Sequence, residues 1–560
     1  MACRAVVAIG SNQGDRVDLF RRALRLLNAA GIVVERHSSL YETAPAYVAD
    51  QPVFLNAAFV ARVDDPDVGA DPIKLLDALK RVERELGRVD GGVRFGPRPI
   101  DLDIIFHGGG AVNRERLTVP HPRYRERGFV LAPLADLDVD LDADSDADDS
   151  DADAAAAAAD ADATSSSSSS SSDRVISRSL RTARAIWSAA GGERNVGGDE
   201  MRRVMPLRDG LWSWKDDDAA VMGVLNVTPD SFSDGGALNT RVNRNGDDAD
   251  VTSKSAVDLD AVVRAARRMA DDGAMFLDVG GQSTRPGATR SARVVPAVAA
   301  VVAAFASDVA RGARAFAPYV SVDTFYGAVA TRAVEAGADV INDVSAGSLD
   351  PEMRAAVAAL PFPAPYVAMH MRGDPSDMQS TSNVTYAEGD TCGVVGIELA
   401  AAARKAAKAG IEPWRLWLDP GIGFAKTARG CAELTADLGA VRDGVTRGGG
   451  GGVTHAPMLY GASRKGFLGA LIARGDARGD AGAAAAPPSA CDVATSAANA
   501  VAVAQPRGAD VVRVHDVKHA VDAVKVASEM RRARRERERE AAARGAARES
   551  KSFASGDSGY

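Results

Sequence analysis

The chain has 560 residues, 46% of them hydrophobic, and a formal net charge of −9. That length makes two or more domains the expectation. The acidic balance excludes a global nucleic-acid footprint, so any anionic ligand must be held by local cationic clusters. The four cysteines (Cys3, Cys392, Cys431 and Cys491) are scattered and form no CxxC pair. This excludes a cysteine zinc site and fits a reducing compartment. No apolar run reaches membrane-spanning length, so no membrane partner is expected. A strand-like run starts almost at Met1, which leaves no room for a leader peptide within the chain. The expected location is cytoplasmic, with the mitochondrion as the alternative if a presequence precedes Met1.

Residues 4–136 form a first patterned block. Ala5–Ile9 reads as a strand ending in Gly10-Ser11-Asn12, and Val17–Leu27 keeps helical spacing. Pro52–Val63 has strand character. Asp71-Pro72 is a helix start, an N-cap followed by proline at the first helical position. Ile73, Leu76, Leu79, Val82 and Leu86 line one face of that helix, and Gly87 can close it. Strands interleaved with two helices imply an α+β sandwich. Its chemistry concentrates between Arg88 and Asp103, where Arg88, Arg94 and Arg98 surround Gly91-Gly92 and Gly96-Pro97. Guanidinium forks in a glycine-bearing loop suit a polyphosphate. In the alternating run Ile100–Phe106, Asp101 and Asp103 share a face, which suits a magnesium site for a nucleotide. A solvated strand face is the bland alternative for the two aspartates alone. His121 and Arg127 can reach the same phosphates.

At these residues the block resembles the 6-hydroxymethyl-7,8-dihydropterin pyrophosphokinase family. The resemblance rests on Gly10-Ser11-Asn12, Tyr41-Glu42-Thr43, Gln51 through Asn56, Arg94–Arg98, Asp101–Asp103, Thr118–His121 and Arg127–Phe129, all in the family's order. It implies a ferredoxin-like α+β fold that moves pyrophosphate from ATP to a pterin hydroxymethyl group. Asp101 and Asp103 would carry Mg2+, Arg88 and Arg98 would be catalytic, and Glu83, Arg88, Arg98, His121 and Arg127 would surround ATP. Thr43, Phe54, Asn56 and Phe129 would hold the pterin. The chain departs from the family at Phe95, in place of tryptophan, and at Lys80, in place of a glutamine.

From Leu137 the composition collapses to aspartate and alanine, then to a serine run through Ser172. Such a segment cannot bury enough apolar surface to offset its ordering entropy. Residues 137–215 are therefore expected to be a disordered linker followed by a segment of undetermined structure, with a short helix over Ser179–Ala190 and a Trp212/Trp214 pair. A flexible linker implies independent domains rather than a fixed tunnel.

Over residues 216–530, eight apolar runs alternate with helical stretches. The runs are Val221–Val227, Ala274–Val279, Tyr319–Val322, Val340–Ile341, Tyr366–Met369, Leu416–Leu418, Met458–Tyr460 and Val511–Val514. This pattern implies a (β/α)8 TIM barrel, with a doubly wound open sheet as the alternative. Asn239–Lys254, Gly448–Gly452 and Arg474–Ser489 read as loop expansions, and residues 531–560 as a charged tail, a helix extension that frays into a disordered end. The residues closing the strands are all polar: Asn226, Asp278, Asp323, Asn342 with Asp343, His370, Asp419, Ser463 and His515. In a barrel they ring one cavity. Asp323, Asn342 and Asp419 suit a planar heterocycle with ring N–H and amino donors, and Lys465 suits its carbonyl. Arg285, Arg513 and His515 form an anion site, which Asn226 can meet through a magnesium ion.

These strand ends resemble the dihydropteroate synthase family. The matching stretches are Leu225–Gly235, Asp278–Gly287, Ser321–Thr324, Ile341–Asp343, Met369–Met371, Leu418–Lys426, Ser463–Gly466 and Arg513–Asp516. Gln282 stands where glutamate is common. The resemblance implies condensation of 4-aminobenzoate with dihydropterin diphosphate. Asp323, Asn342, Asp419 and Lys465 would bind the pterin, with Lys465 also catalytic. Thr284, Arg285, Arg513 and His515 would bind diphosphate, and Pro286, Phe424 and Ser463 the aminobenzoate. Thr228–Gly236 would be a lid, and a homodimer would form through the barrel. The expected function is thus two consecutive steps of folate biosynthesis on small-molecule substrates. The rival is a pterin-binding methyltransferase barrel with a non-catalytic N-terminal interaction domain.

Overall fold

The structure, a computed structural model, describes residues 3–89, 91, 95–137, 171–196, 200–208, 210–214, 218–227, 258–280, 294–386, 389–473 and 491–555. The Asp/Ala/Ser run up to residue 170, the lid expected over Thr228–Gly236 and two of the loop expansions, Asn239–Lys254 and Arg474–Ser489, lie outside the described residues.

The N-terminal unit contains strands β1 (Cys3–Ser11), β2 (Ile32–His37), β3 (Leu40–Thr43), β4 (Phe54–Val63), β5 (Asp101–His107), β6 (Val112–Arg114) and β7 (Leu117–Val119). Its helices are α1 (Arg16–Ala29), α2 (Pro66–Ala70), α3 (Pro72–Glu85) and α4 (Gly128–Asp136). Helix α3 starts as its sequence requires: Pro72 opens it, and the Asp71 carboxylate accepts from the Ile73 N–H at 3.1 Å. One apolar core lies between the sheet and α1/α3, including Leu19, Leu27, Leu75 and Leu79. A second lies on the other sheet face, including Val130 and Leu134 of α4.

The described residues between 171 and 214, whose structure the sequence leaves open, belong to both halves of the molecule. Helix α5 (Ser171–Ala189) places Ile176, Leu180, Ala183 and Trp187 in that second core. Strands β8 (Met201–Leu207) and β9 (Gly210–Trp212) extend the N-terminal sheet, whose order is β5-β1-β4-β3-β8-β9 with β2 also on β4. Glu42 of β3 holds Arg202 of β8 at 2.9 Å and Arg16 of α1 at 2.8 Å, so charge pairing reinforces the register.

The C-terminal unit contains the parallel strands β10 (Ala220–Asn226), β11 (Phe276–Gly280), β12 (Tyr319–Asp323), β13 (Val340–Asp343), β14 (Tyr366–Met369), β15 (Leu416–Asp419), β16 (Leu459–Tyr460) and β17 (Val511–Val514). Its helices are α6 (Leu259–Asp271), α7 (Val294–Ala310), α8 (Gly327–Glu335), α9 (Met353–Ala358), α10 (Thr381–Val384), α11 (Thr391–Lys408), α12 (Ala428–Ala436), α13 (Leu438–Arg447), α14 (Gly466–Ala473), α15 (Asp492–Ala504) and α16 (Val517–Ser555). Neighbours run from β10 to β15 on one side and through β17 to β16 on the other. A parallel bridge between Leu418 and Met458 closes the ring, so the open-sheet alternative is excluded. The barrel's N-terminal end is sealed by aromatic packing. Trp212 of β9 lies 5.5 Å from the Phe276 ring and 5.2 Å from that of Trp417, in a cluster with Met205, Leu207 and the first residues of several strands.

The two units are therefore docked, contrary to the independence that a flexible linker suggests. Arg21 of α1 reaches Glu412 at 3.0 Å and the carbonyls of Pro361 and Leu360. In the glycine run 448–452, a Cβ on Gly452 would stand 2.4 Å from the His37 carbonyl oxygen, so this close approach requires glycine. The charged tail continues the last barrel helix: α16 runs to Ser555, and at its base Arg531 is buried and donates to the Ala509 carbonyl at 3.0 Å.

Candidate active sites

The first polar centre lies on one end of the N-terminal sheet. A pocket there is lined by Gly10, Thr43, Tyr47, Phe54, Asn56, Phe95, Arg98, Asp101, Asp103, Arg127 and Phe129. The Gly10-Ser11-Asn12 turn orders the arginine loop: Asn12 accepts from the Arg98 N–H at 2.8 Å and donates its own N–H to the Arg98 carbonyl at 3.2 Å. Asn56 donates to the Thr43 hydroxyl at 2.8 Å. Phe54 and Phe129 add aromatic faces, over which lie the guanidinium groups of Arg98 and Arg127, each 5.7 Å away. Phe95 packs on Tyr47 with ring centroids 4.5 Å apart, so the aromatic wall persists at that departure from the family.

Asp101 and Asp103 of β5 both face this pocket. Asp101 is paired with Arg88 and with Arg98 Nε at 3.2 Å. Burial opposes its ionisation, but Arg98 and Arg88 prevail and hold its carboxyl below the usual range. Asp103 makes no hydrogen bond through its carboxylate among the described residues, and burial beside Asp101 pushes its carboxyl up. Glu83 is buried and does not face the pocket directly. Its carboxylate accepts from the Leu102 N–H at 2.7 Å and from Lys80 at 2.7 Å, and lies 3.1 Å from Arg88. It thereby fixes the strand between the two aspartates, and burial raises its pKa. Lys80 donates to Glu83 rather than into the pocket. The backbone N–H of His121 donates to the Ile105 carbonyl at 3.1 Å, which sets the imidazole beside β5, and burial lowers its pKa. Arg127 donates to the Tyr47 hydroxyl at 3.2 Å. Arg94 lies outside the described residues.

The second centre occupies the C-terminal end of the barrel. Asp278 is fully buried and joins three strands: it accepts from Arg513 Nε of β17 at 2.6 Å and from Asn342 Nδ2 of β13 at 3.0 Å. Its Oδ1 has no hydrogen-bond partner among the described residues. Arg513 also donates to Asp323 of β12 at 2.7 Å. Burial pushes the Asp323 carboxyl up to about 7, against the pull of Arg513. Asp419 is buried and accepts from the Gly421 N–H at 2.7 Å, and burial raises its pKa. Burial, with Arg513 next in effect, lowers Lys465 to about 8; its ammonium stands 3.9 Å from the Phe424 ring centroid. Asn226 ends β10 half-buried. Thr284, Arg285 and Pro286 lie outside the described residues.

Arg513 and His515, expected together in an anion site, lie close enough for the Arg513 charge to add to burial in lowering the His515 pKa, but they make separate hydrogen bonds. The Arg513 guanidinium is divided between Asp278 and Asp323. His515 instead pairs with Ser463, whose hydroxyl lies 3.0 Å from Nδ1 and accepts the His515 backbone N–H at 3.1 Å. Burial keeps that imidazole neutral, with its pKa down to about 3. Asp343 turns away from the cavity and fastens its own loop through Ser345, Gly347 and Tyr366. The central place of Asp278 was visible in sequence only as one polar strand end among eight.

A sheet carrying an arginine–carboxylate pocket, joined to a barrel with carboxylates and cations at its strand ends, defines a two-domain enzyme for anionic heterocyclic substrates. Residues 6–139 match the family model for 7,8-dihydro-6-hydroxymethylpterin-pyrophosphokinase, and residues 239–515 that for pterin binding enzymes. The chain is 41% identical over 532 residues to the folate synthesis bifunctional protein, mitochondrial, of Pisum sativum, covering 93% of this chain and 88% of the relative. It is 38% identical to the folate synthesis bifunctional protein of Arabidopsis thaliana, covering 94% of this chain and 95% of the relative. A crystal structure of an HPPK-DHPS in complex with substrates shares the fold, with a TM-score of 0.63 at 17% identity, covering 95% of this chain and all (100%) of that one. The chain belongs to the family of bifunctional folate synthesis proteins. No helix among the described residues is long and apolar enough to cross a membrane.

Proposed function

We propose that the two polar centres carry out two consecutive transfers. The N-terminal centre moves pyrophosphate from ATP to 6-hydroxymethyl-7,8-dihydropterin. The barrel then condenses the diphosphate with 4-aminobenzoate to 7,8-dihydropteroate, releasing diphosphate. The observation that carries this reading is the convergence of Asp278, Asp323, Asn342, Asp419, Lys465 and Arg513 on one end of the barrel.

In the first step the hydroxymethyl oxygen attacks the β-phosphorus and gives up its proton, the bridge to the α-phosphate breaks and AMP leaves. Thr43 and Asn56 hold the pterin edge, and Phe54 and Phe129 its faces. Arg88 and Arg98, which balance Asp101 without ligand, exchange that carboxylate for phosphate oxygens, while His121 and Arg127 bind the remaining phosphates. The donor set fits Mg2+: two carboxylates on one pocket wall, one of them without a hydrogen bond among the described residues and hard to ionise beside its neighbour. Asp101 and Asp103 would hold the ion, which supplies neutralisation of the triphosphate charge.

In the second step the bond from the pterin methylene carbon to the diphosphate oxygen breaks. The arylamine nitrogen then attacks that carbon and loses a proton. Asp278, Asp323, Asn342 and Asp419 accept from the pterin's N–H and amino groups, and Lys465 donates to its carbonyl. Thr284, Arg285, Arg513 and His515 take the diphosphate, with Asn226 as a further contact, directly or through Mg2+. Pro286, Phe424 and Ser463 line the arylamine side. No side-chain nucleophile is needed; the protein supplies fixed charges and shelter from water.

Assays of single variants test the division. Asp101→Ala abolishes product formation from the alcohol and spares it from preformed dihydropterin diphosphate. Lys465→Ala leaves AMP formation intact and abolishes condensation. Equal loss of both activities in either variant refutes the assignment. We further propose a homodimer through the barrel, where Leu471, Ile472, Val493, Val501, Val526 and Met530 expose apolar surface on α14, α15 and α16. We place the enzyme in the cytosol, with the mitochondrion as the alternative raised by the pea relative's name.

A further inference from the structure

Among the buried cations that the two transfers leave unused, one lies beside the barrel's polar centre. Lys426, at the end of the β15–α12 loop, is 4% exposed. Its Nζ lies 2.9 Å from His370 Nδ1 and 2.9 Å from the Phe424 carbonyl oxygen. It forms no salt bridge among the described residues, so it is not an ion-pair staple. Burying an amine at such a place is costly unless its hydrogen bonds are met. Both partners bear on the barrel's C-terminal centre. His370 directly follows β14, with Nε2 2.6 Å from Glu398, which also binds Arg372 at 3.1 Å. Phe424 carries the ring that faces the Lys465 ammonium at 3.9 Å.

The carbonyls on either side of Phe424 are also held. Gln379 donates to the Gly423 oxygen at 3.1 Å, and the Tyr386 hydroxyl donates to the Ala425 oxygen at 2.8 Å. Arg372 lies over the Tyr386 ring at 4.2 Å, which links that tether back to Glu398 and His370. Three successive carbonyls are thus fastened by three different side chains. Ala425 itself has a φ of 49°, a left-handed conformation unfavourable for a residue with a Cβ. Such a conformation persists only where the surroundings dictate it, and it recurs where a loop must present a side chain in one pose.

We propose that Lys426 is a positioning residue for arylamine capture. It sets the Phe424 carbonyl, and through it the ring against which 4-aminobenzoate lies beside Lys465, with Gln379 and Tyr386 as auxiliary tethers. This rests on the reading of the barrel as the synthase. The network acts through Phe424 and touches no reacting atom, so its signature is in the KM of one substrate.

The test uses the full-length chain with preformed dihydropterin diphosphate and varied 4-aminobenzoate. Lys426→Met keeps the stem and removes the donors. It is expected to raise the KM for 4-aminobenzoate about tenfold, while the KM for the diphosphate stays within about twofold. Pyrophosphate transfer by the N-terminal unit of the same preparation is expected to match wild type. Tyr386→Phe, a milder change, is expected to move the same constant by about threefold. The effects combine non-additively in the double variant because both act on one loop. Equal rises in both KM values, or a fall in kcat alone, overturn the proposal. Should Lys426→Met not fold, an unchanged 4-aminobenzoate KM in Tyr386→Phe overturns it. Absence of dihydropteroate from the wild-type chain overturns the synthase reading itself, and the proposal with it.

Discussion

Asp278 is the residue on which the barrel's polar centre depends most, and Asp278→Asn measures how much. The carboxylate is fully buried and joins β11 to β17 through Arg513 at 2.6 Å and to β13 through Asn342 at 3.0 Å. Removing one partner of a buried ion pair costs ~3–5 kcal/mol. Here Arg513 retains Asp323 at 2.7 Å, and its side chain is 21% exposed, so the loss falls below that range. A destabilisation of ~2–3 kcal/mol is expected, roughly a 30- to 150-fold change in the unfolding equilibrium. Both donors meet the same carboxylate oxygen, Oδ2, so the amide carbonyl can keep both hydrogen bonds, and the cost is that of the negative charge lost beside Arg513. Urea unfolding followed by tryptophan fluorescence reports the change, since Trp212, Trp214 and Trp417 all lie at the barrel's sealed end. Synthase kcat/KM for the diphosphate is expected to fall about 100-fold, through loss of the negative charge that orients Arg513. A destabilisation under ~0.5 kcal/mol with unchanged kcat/KM would refute the reasoning.

Two further perturbations probe the surroundings. The Asp323 carboxyl is raised by burial from 3.8 to about 7, so its stabilising contribution is full below about 4 and lost as pH rises through about 7. Asp323→Asn lacks that loss, and its urea midpoint relative to wild type is expected to shift in the variant's favour between pH 4 and 8; a gap independent of pH contradicts this. Trp212→Ala opens a cavity between Phe276 and Trp417 and is expected to cost ~3–5 kcal/mol, lowering the inactivation temperature of both activities together because β9 continues the N-terminal sheet. Loss of synthase activity alone would show that the units unfold independently.

The barrel was legible because each of its strands is a short apolar run closed by a polar residue, and the C-terminal end of a parallel barrel is where such residues meet. The helix start at Asp71-Pro72 and the shared face of Asp101 and Asp103 followed from local chemistry alone. What escaped was set by distant partners. Strand β8 pairs with β3, some 160 residues earlier (Leu40 with Val204), after a stretch whose composition signals only solvation. Arg513 and His515 alternate along one strand end, so nothing local shows that one joins Asp278 and Asp323 while the other joins Ser463. Lys426 closes one of the matching stretches, but nothing in that stretch shows that its amine turns to His370 and the Phe424 carbonyl, and Glu398 reads as an ordinary helix face. Gly452 reads as loop until the His37 carbonyl is placed beside it.

The central claim is that one chain performs both transfers in sequence. Purified full-length protein given 6-hydroxymethyl-7,8-dihydropterin, ATP, Mg2+ and 4-aminobenzoate should form 7,8-dihydropteroate and AMP in equal amounts. Omission of ATP should stop product formation, and preformed dihydropterin diphosphate should restore it. Failure to form dihydropteroate even from the preformed diphosphate would contradict the account.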